Sequence, residues 1–118
     1  MFKTLILLTL IFLSACAHQQ SRGYSDSIRD VVNKNMNEMR SCYVEGLRNN
    51  PVIQGTLVLQ WDINTKGLVE KVSVLSSTLE SIEVEDCCME RLKKWTFPVK
   101  EKPEITTVKY PFNFKASN

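Results

Sequence analysis

The chain has 118 residues, 43% hydrophobic and 24% charged, with 15 Lys and Arg against 13 Asp and Glu for a formal charge of +2. That length suits one small core domain and excludes two, and the interspersed charges exclude the basic stripe that would hold nucleic acid. Four cysteines, at 16, 42, 87 and 88, make the compartment the first question.

Residues 1–16 read MFKTLILLTLIFLSAC: Lys3, an apolar run from Leu5 to Leu13, small residues, then Cys16. The run falls short of the roughly 20 apolar residues that cross a bilayer and has the layout of a secretory leader. Leu13-Ser14-Ala15-Cys16 resembles the bacterial lipobox, which implies a signal peptide over 1–15 and acyl chains on Cys16. A plain leader cut after Ala17 is the alternative, since Ala15-Cys16-Ala17 also fits the small-x-small cleavage pattern. By resemblance to lipoproteins, Ala17 behind the cysteine implies an outer-membrane anchor facing the periplasm. Residues 16–26 are then the lipidated cysteine and a polar tether. The nine residues AHQQSRGYS reach about 30 Å at roughly 3.3–3.6 Å each, which keeps a domain over 27–115 close to the membrane.

From Ser27, Ile28, Val32, Met36, Met39, Tyr43 and Leu47 recur at helical spacing, and Asn49-Asn50-Pro51 stops the run, so one helix is expected over about 27–48. Gly55 opens TLVLQWDIN, in which Leu57, Leu59, Trp61 and Ile63 alternate as one buried strand face. Asn64 to Gly67 form a turn, and the valine-rich LVEKVSVLS is the second strand of an antiparallel hairpin. Val84, Cys88, Leu92 and Trp95 return to helical spacing, with acids at the start and Lys93 and Lys94 near the end, as the helix dipole favours. Phe97-Pro98 closes this helix, and ITTVKYPFNF alternates Val108, Tyr110, Phe112 and Phe114 as a third strand.

This order, α-β-β-α-β, packs as an α+β two-layer sandwich with two helices on one face of a three-stranded antiparallel sheet. Pro111 cannot donate a ladder hydrogen bond, so strand three is expected at a sheet edge, with the backbone groups of Lys109, Pro111 and Asn113 on its free side.

Nothing in the sequence points to catalysis. Nucleophilic catalysis needs a base beside a nucleophile, and the single histidine, His18, lies in the tether. Glu83, Glu85, Asp86 and Glu90 fall on exposed helix positions, Asp62 alternates away from its strand's apolar face, and glycines 23, 46, 55 and 67 form no phosphate loop. Trp61, Trp95, Tyr110 and Phe112 could be drawn as a ligand cage, but each sits on an apolar face at core spacing. Cys87-Cys88 could be a vicinal redox switch or half a metal site, although it lacks the Cys-x-x-Cys spacing and a ligand partner. No metal, no cofactor and no enzymatic activity are expected.

Several residues then match one pattern together: Cys42-Tyr43, Asn50-Pro51, Gly55, Gly67, Cys87 ahead of Trp95, Phe97-Pro98 and Tyr110-Pro111-Phe112 with Phe114. Their order resembles the AgmX/PglI C-terminal domain, a relative of the TonB C-terminal fold found in bacterial envelope and gliding-motility proteins. The resemblance spans about 27–115 and implies the same two-helix, three-stranded fold. It also implies a disulfide between Cys42 and Cys87, with Cys88 as a buried thiol in an oxidising compartment.

TonB-like domains add an extended peptide to their sheet. The resemblance therefore implies a membrane-tethered, non-enzymatic adaptor that docks another envelope protein along Thr107, Lys109, Pro111 and Asn113. The inner-membrane helix and proline-rich linker of an energy transducer are not in the sequence, so an accessory of an envelope or motility complex is expected instead. An unprotected edge can also pair with itself in a homodimer. A structural lipoprotein that binds peptidoglycan or stabilises the outer membrane is the second reading, and a redox-active thiol protein the third.

Overall fold

The structure, a computed structural model, describes residues 23–116; the leader and Cys16 lie outside the described residues. The elements in chain order are α1 (Tyr24–Lys34), α2 (Met36–Asn49), β1 (Gly55–Ile63), β2 (Val69–Ser77), α3 (Ile82–Leu92) and β3 (Thr106–Phe114). The sheet order is β2-β1-β3 with both pairings antiparallel, so β1 is central and the chain crosses from β2 to β3 through α3.

Local chemistry sets the hairpin. Asn64 Oδ1 accepts from the backbone N–H groups of Lys66 and Leu68, both at 2.9 Å. Gly67 follows at φ 79°, where a Cβ would lie 2.2 Å from the Phe97 carbonyl oxygen. The same glycine accepts from Phe97 N at 2.9 Å, which ties the turn to the segment after α3. A side chain at this position would therefore break both the turn and the dock.

One sheet face and the helices share the core. Leu57, Leu59, Trp61 and Ile63 of β1 meet Phe112 and Phe114 of β3, and Val32, Met39, Val84, Cys88 and Leu92 cover them from the helices. The opposite face is largely polar and, among the described residues, carries no helix. Thr56 Oγ1 and Asn113 Oδ1 lie 2.7 Å apart there, and Thr107 Oγ1 donates to Asp62 Oδ1 at 2.7 Å. The period of two along β1 and β3 is thus a division between core and water.

Among the described residues three helices are present where two were expected. The first run begins at Tyr24, ahead of Ser27, and breaks at Asn35, which sits at φ −102° and ψ 6° between α1 and α2. Asn35 Nδ2 donates to Val31 O at 2.8 Å, competing with the backbone for the same carbonyl. Asn33, Asn35 and Asn37 fall within five residues, so intrinsic helix propensity is lowest where the chain bends. The apolar spacing survives the break because Ile28, Val32, Met39 and Tyr43 all remain buried.

The third helix is shorter than the spacing of Val84, Cys88, Leu92 and Trp95 implied. It ends at Leu92, and Trp95 reaches the core from the turn beyond, where Trp95 N donates to Leu92 O at 3.1 Å. Trp95 is only 4% exposed, and its indole N–H donates to Glu38 Oε2 at 2.6 Å, linking this turn to α2.

Gly46 lets α2 and α3 approach closely. A Cβ on it would stand 2.4 Å from Cγ2 of Val84, a residue with no exposure. Gly46→Ala would gain about 1 kcal/mol of helix propensity but incur an overpacking cost of about 1–3 kcal/mol. The expected outcome is net destabilisation in urea unfolding. Combining it with Val84→Ala should recover part of the loss as a favourable coupling.

Candidate functional site

The site begins with which backbone groups of β3 face outward. Thr78 N donates to Thr56 O at 3.0 Å, so Thr56 turns its backbone toward β2. Alternation turns Val58, Gln60 and Asp62 the same way, and the β1–β3 register carries no shift. Their partners on β3 are Asn113, Pro111, Lys109 and Thr107, which therefore direct their backbone groups away from β1. The four residues singled out in the sequence lie on one edge, with Pro111 contributing a carbonyl but no N–H.

The sheet's two edges differ. β2 is interrupted twice: Leu75 lies between the partners of Val58 and Leu59, while Lys71 and Val72 lie between the partners of Gln60 and Asp62. Lys71, within the second interruption, adopts φ 53°, a left-handed conformation that kinks the strand there. Bulges twist an edge out of register for a further strand, whereas β3 stays regular over nine residues.

Beside β3, on the helix side, lie two grooves. The first, about 530 Å³, runs between α1 and residues 106–110, with Tyr24, Ile28, Arg29 and Lys100 along its far wall. The second, about 290 Å³, lies between α2 and residues 113–116, with Arg40, Tyr43, Val44 and Leu47 opposite. No residue of β1 lines either one, so both open at the free edge.

Tyr24, expected in the tether, forms part of the first groove. Its hydroxyl donates to Pro98 O at 2.9 Å, and Lys100 Nζ stands 4.9 Å above its ring. Partial burial pushes the Tyr24 phenol up, with Lys100 opposing the shift. The available signal was its spacing, since Tyr24, Ile28 and Val32 are four apart and share a helix face.

The second groove's helical wall is held covalently. Cys42 of α2 is bonded to Cys87 of α3 with Cα atoms 5.7 Å apart, while Cys88 is buried and free. Burial pushes the Cys88 thiol up to about 12, so it stays protonated at neutral pH beside the bridge. Tyr43 donates to the Ile53 carbonyl, and its ring lies 5.1 Å from that of Phe114, joining α2 to the end of β3.

The other candidate groups have structural partners. Trp61, Phe112 and Trp95 are buried, and Tyr110 packs its ring, tilted, 5.3 Å from that of Phe112 and 6.5 Å from that of Trp61 while lining the first groove. Glu83 accepts from Asn49 Nδ2, and the Lys93 ammonium 2.8 Å away holds the Glu90 carboxyl below its usual range. Asp62 accepts from Thr107 and lies 3.9 Å from Lys71 Nζ. Among the described residues, no group of three or more His, Cys, Asp or Glu is placed to hold a metal ion, and no helix is long and apolar enough to cross a membrane.

Against known proteins, residues 51–116 match the family model for the Gram-negative bacterial TonB protein C-terminal. The solution structure of the Helicobacter pylori TonB C-terminal domain aligns with 80% of this chain and 96% of its own, at 20% identity and a TM-score of 0.49. No curated protein matches the chain. The family match runs from the loop after α2 through the hairpin, α3 and the whole of β3. The chain belongs to the TonB C-terminal family, whose domains generally mediate protein–protein interactions in the bacterial envelope and are typically non-catalytic.

Proposed function

We propose that this protein is a non-enzymatic adaptor that docks an extended segment of another envelope protein as a fourth strand on the free edge of β3. The observation that carries this reading is the asymmetry of the sheet: β3 is regular and bares Thr107, Lys109, Pro111 and Asn113, while β2 is twice bulged. An added strand would satisfy these outward groups with its own backbone, leaving one of its carbonyls unpaired opposite Pro111.

Cys16 is proposed as the acylated anchor, which would hold the domain at the inner face of the outer membrane. Within the family, the pattern from Cys42-Tyr43 to Tyr110-Pro111-Phe112 supports an AgmX/PglI-type member serving an envelope or gliding-motility complex as an accessory.

Lys109→Pro tests the docking mode. It removes an outward N–H that bonds to nothing within the sheet, so the fold should survive with little loss of thermal stability. Lys109→Gln keeps that N–H and serves as the control for charge. Partner capture in cells should fall about tenfold for the proline variant, the effect of losing about 1.4 kcal/mol of binding, and persist for glutamine. Equal capture by both variants would exclude strand addition at this edge.

A further inference from the structure

The edge supplies pairing groups, but the two grooves beside it determine which sequence can pair. Each has an apolar part to its lining, made by Ile28, Val108 and Tyr110 in the first and by Tyr43, Leu47 and Phe114 in the second. Val108 and Phe114 both face the helix side of β3 and are six residues apart, about 20 Å of strand. The stretch between the grooves includes Pro111, where the edge lacks a donor. Pairing and side-chain burial are therefore interrupted at the same place.

The groove walls are also one-signed. Arg29, Lys100 and Lys109 line the first, and Arg40 and Lys115 line the second, with no acidic residue in either. Arg29 is partly offset by Asp26 at 3.6 Å, and Lys100 by Glu104 at 2.7 Å. Arg40, Lys109 and Lys115 make no ion pair among the described residues. Three uncompensated cations along one edge, in a chain whose total formal charge is only +2, favour an approaching anion and repel a cation.

We infer that the segment docked on β3 is acidic and places two apolar side chains, six residues apart, one into each groove. Only an even spacing keeps both side chains on the helix side of an extended chain. The inference rests on strand docking at β3 and adds the chemistry of the occupant. Partners with basic or all-polar segments are excluded by it.

The test uses the intact chain and fluorescent synthetic peptides of about ten residues, long enough at about 3.3 Å per residue to span both grooves. One carries leucine at two positions six apart, threonine on the alternate face and aspartate elsewhere. Its twins have lysine for aspartate, or one of the two leucines shifted by one position so that they lie five apart and face opposite sides. Anisotropy titrations should show the aspartate peptide binding at least tenfold more tightly than either twin, with an affinity that falls as salt is raised. Arg40→Glu with Lys115→Glu should weaken the aspartate peptide at least tenfold and strengthen the lysine peptide. Lys109→Pro should weaken binding about tenfold relative to Lys109→Gln.

If the three peptides bind equally and Lys109→Pro weakens all of them about tenfold, strand docking stands and the acidic, two-anchor occupant is overturned. If the charge preference inverts in the double variant while Lys109→Pro changes nothing, binding is ionic without strand pairing, and the docking reading fails together with this inference. Absence of binding by the aspartate peptide overturns the inference outright.

Discussion

Replacing both Cys42 and Cys87 with alanine lowers unfolding stability by about 4 kcal/mol. The bridge closes a loop of sequence separation 45, and the chain-entropy relation converts a loop of that length to about 4 kcal/mol at 25 °C. Domains of this size are stabilised by only about 5–15 kcal/mol in total, so the loss should lower the melting temperature by more than about 15 °C. Urea unfolding of oxidised wild type, reduced wild type and the double variant measures it. Reduced wild type should behave like the variant. Cys88→Ala should leave the bridge intact and cost less, because Cys88 contributes packing and its protonated thiol does not exchange with the neighbouring disulfide. A difference below about 1 kcal/mol between oxidised and reduced protein would mean that packing alone holds α2 against α3.

The second large effect centres on Trp61. This side chain has no exposure, projects from the central strand, and packs against Phe97 and Tyr110 with ring centroids 6.0 and 6.5 Å away. Trp61→Ala should cost about 3–5 kcal/mol by emptying the middle of the core. Trp61→Phe should cost much less, under about 1.5 kcal/mol, for a reason specific to this site. The Trp61 indole N–H finds no acceptor among the described residues, and a buried donor without a partner costs about 1–3 kcal/mol. Phenylalanine gives up volume but removes that penalty. Chemical denaturation of the two variants distinguishes the terms, and a phenylalanine variant as unstable as the alanine one would refute the compensation.

How much of this was legible in the sequence depends on the range of the determining interaction. The alternation in TLVLQWDIN and ITTVKYPFNF revealed the strands, and Pro111 revealed the edge, because period and missing donors are local properties. The break at Asn35 was less visible, because Ile28, Val32, Met39 and Tyr43 keep helical spacing across it. The end of α3 is hidden for a related reason: Trp95 falls at a helical interval but reaches the core from a turn, held by Glu38 on a different helix. The bulges of β2 and the groove beside Tyr24 arise only when distant segments meet. Lys71 carries no residue-type signal for φ 53°, and Tyr24 gains its role from Pro98 and Lys100.

The disulfide shows the opposite case. Four cysteines leave several pairings open by composition, and the family resemblance selected the one that the fold contains. Helical phase agrees, since Cys88 shares its buried face with Val84 and Leu92 while Cys87 sits on the flank toward α2.

Site-specific photo-cross-linking in cells reads strand docking on β3 without a reconstituted partner. Probes go at Lys109 and Asn113 on the edge, with a matched control at Glu90 on the exposed side of α3. Both edge positions should give adducts to an envelope protein, and Glu90 should give none. Adducts of equal yield at all three positions, self-adducts alone, or no edge adduct from correctly localised protein would contradict strand docking.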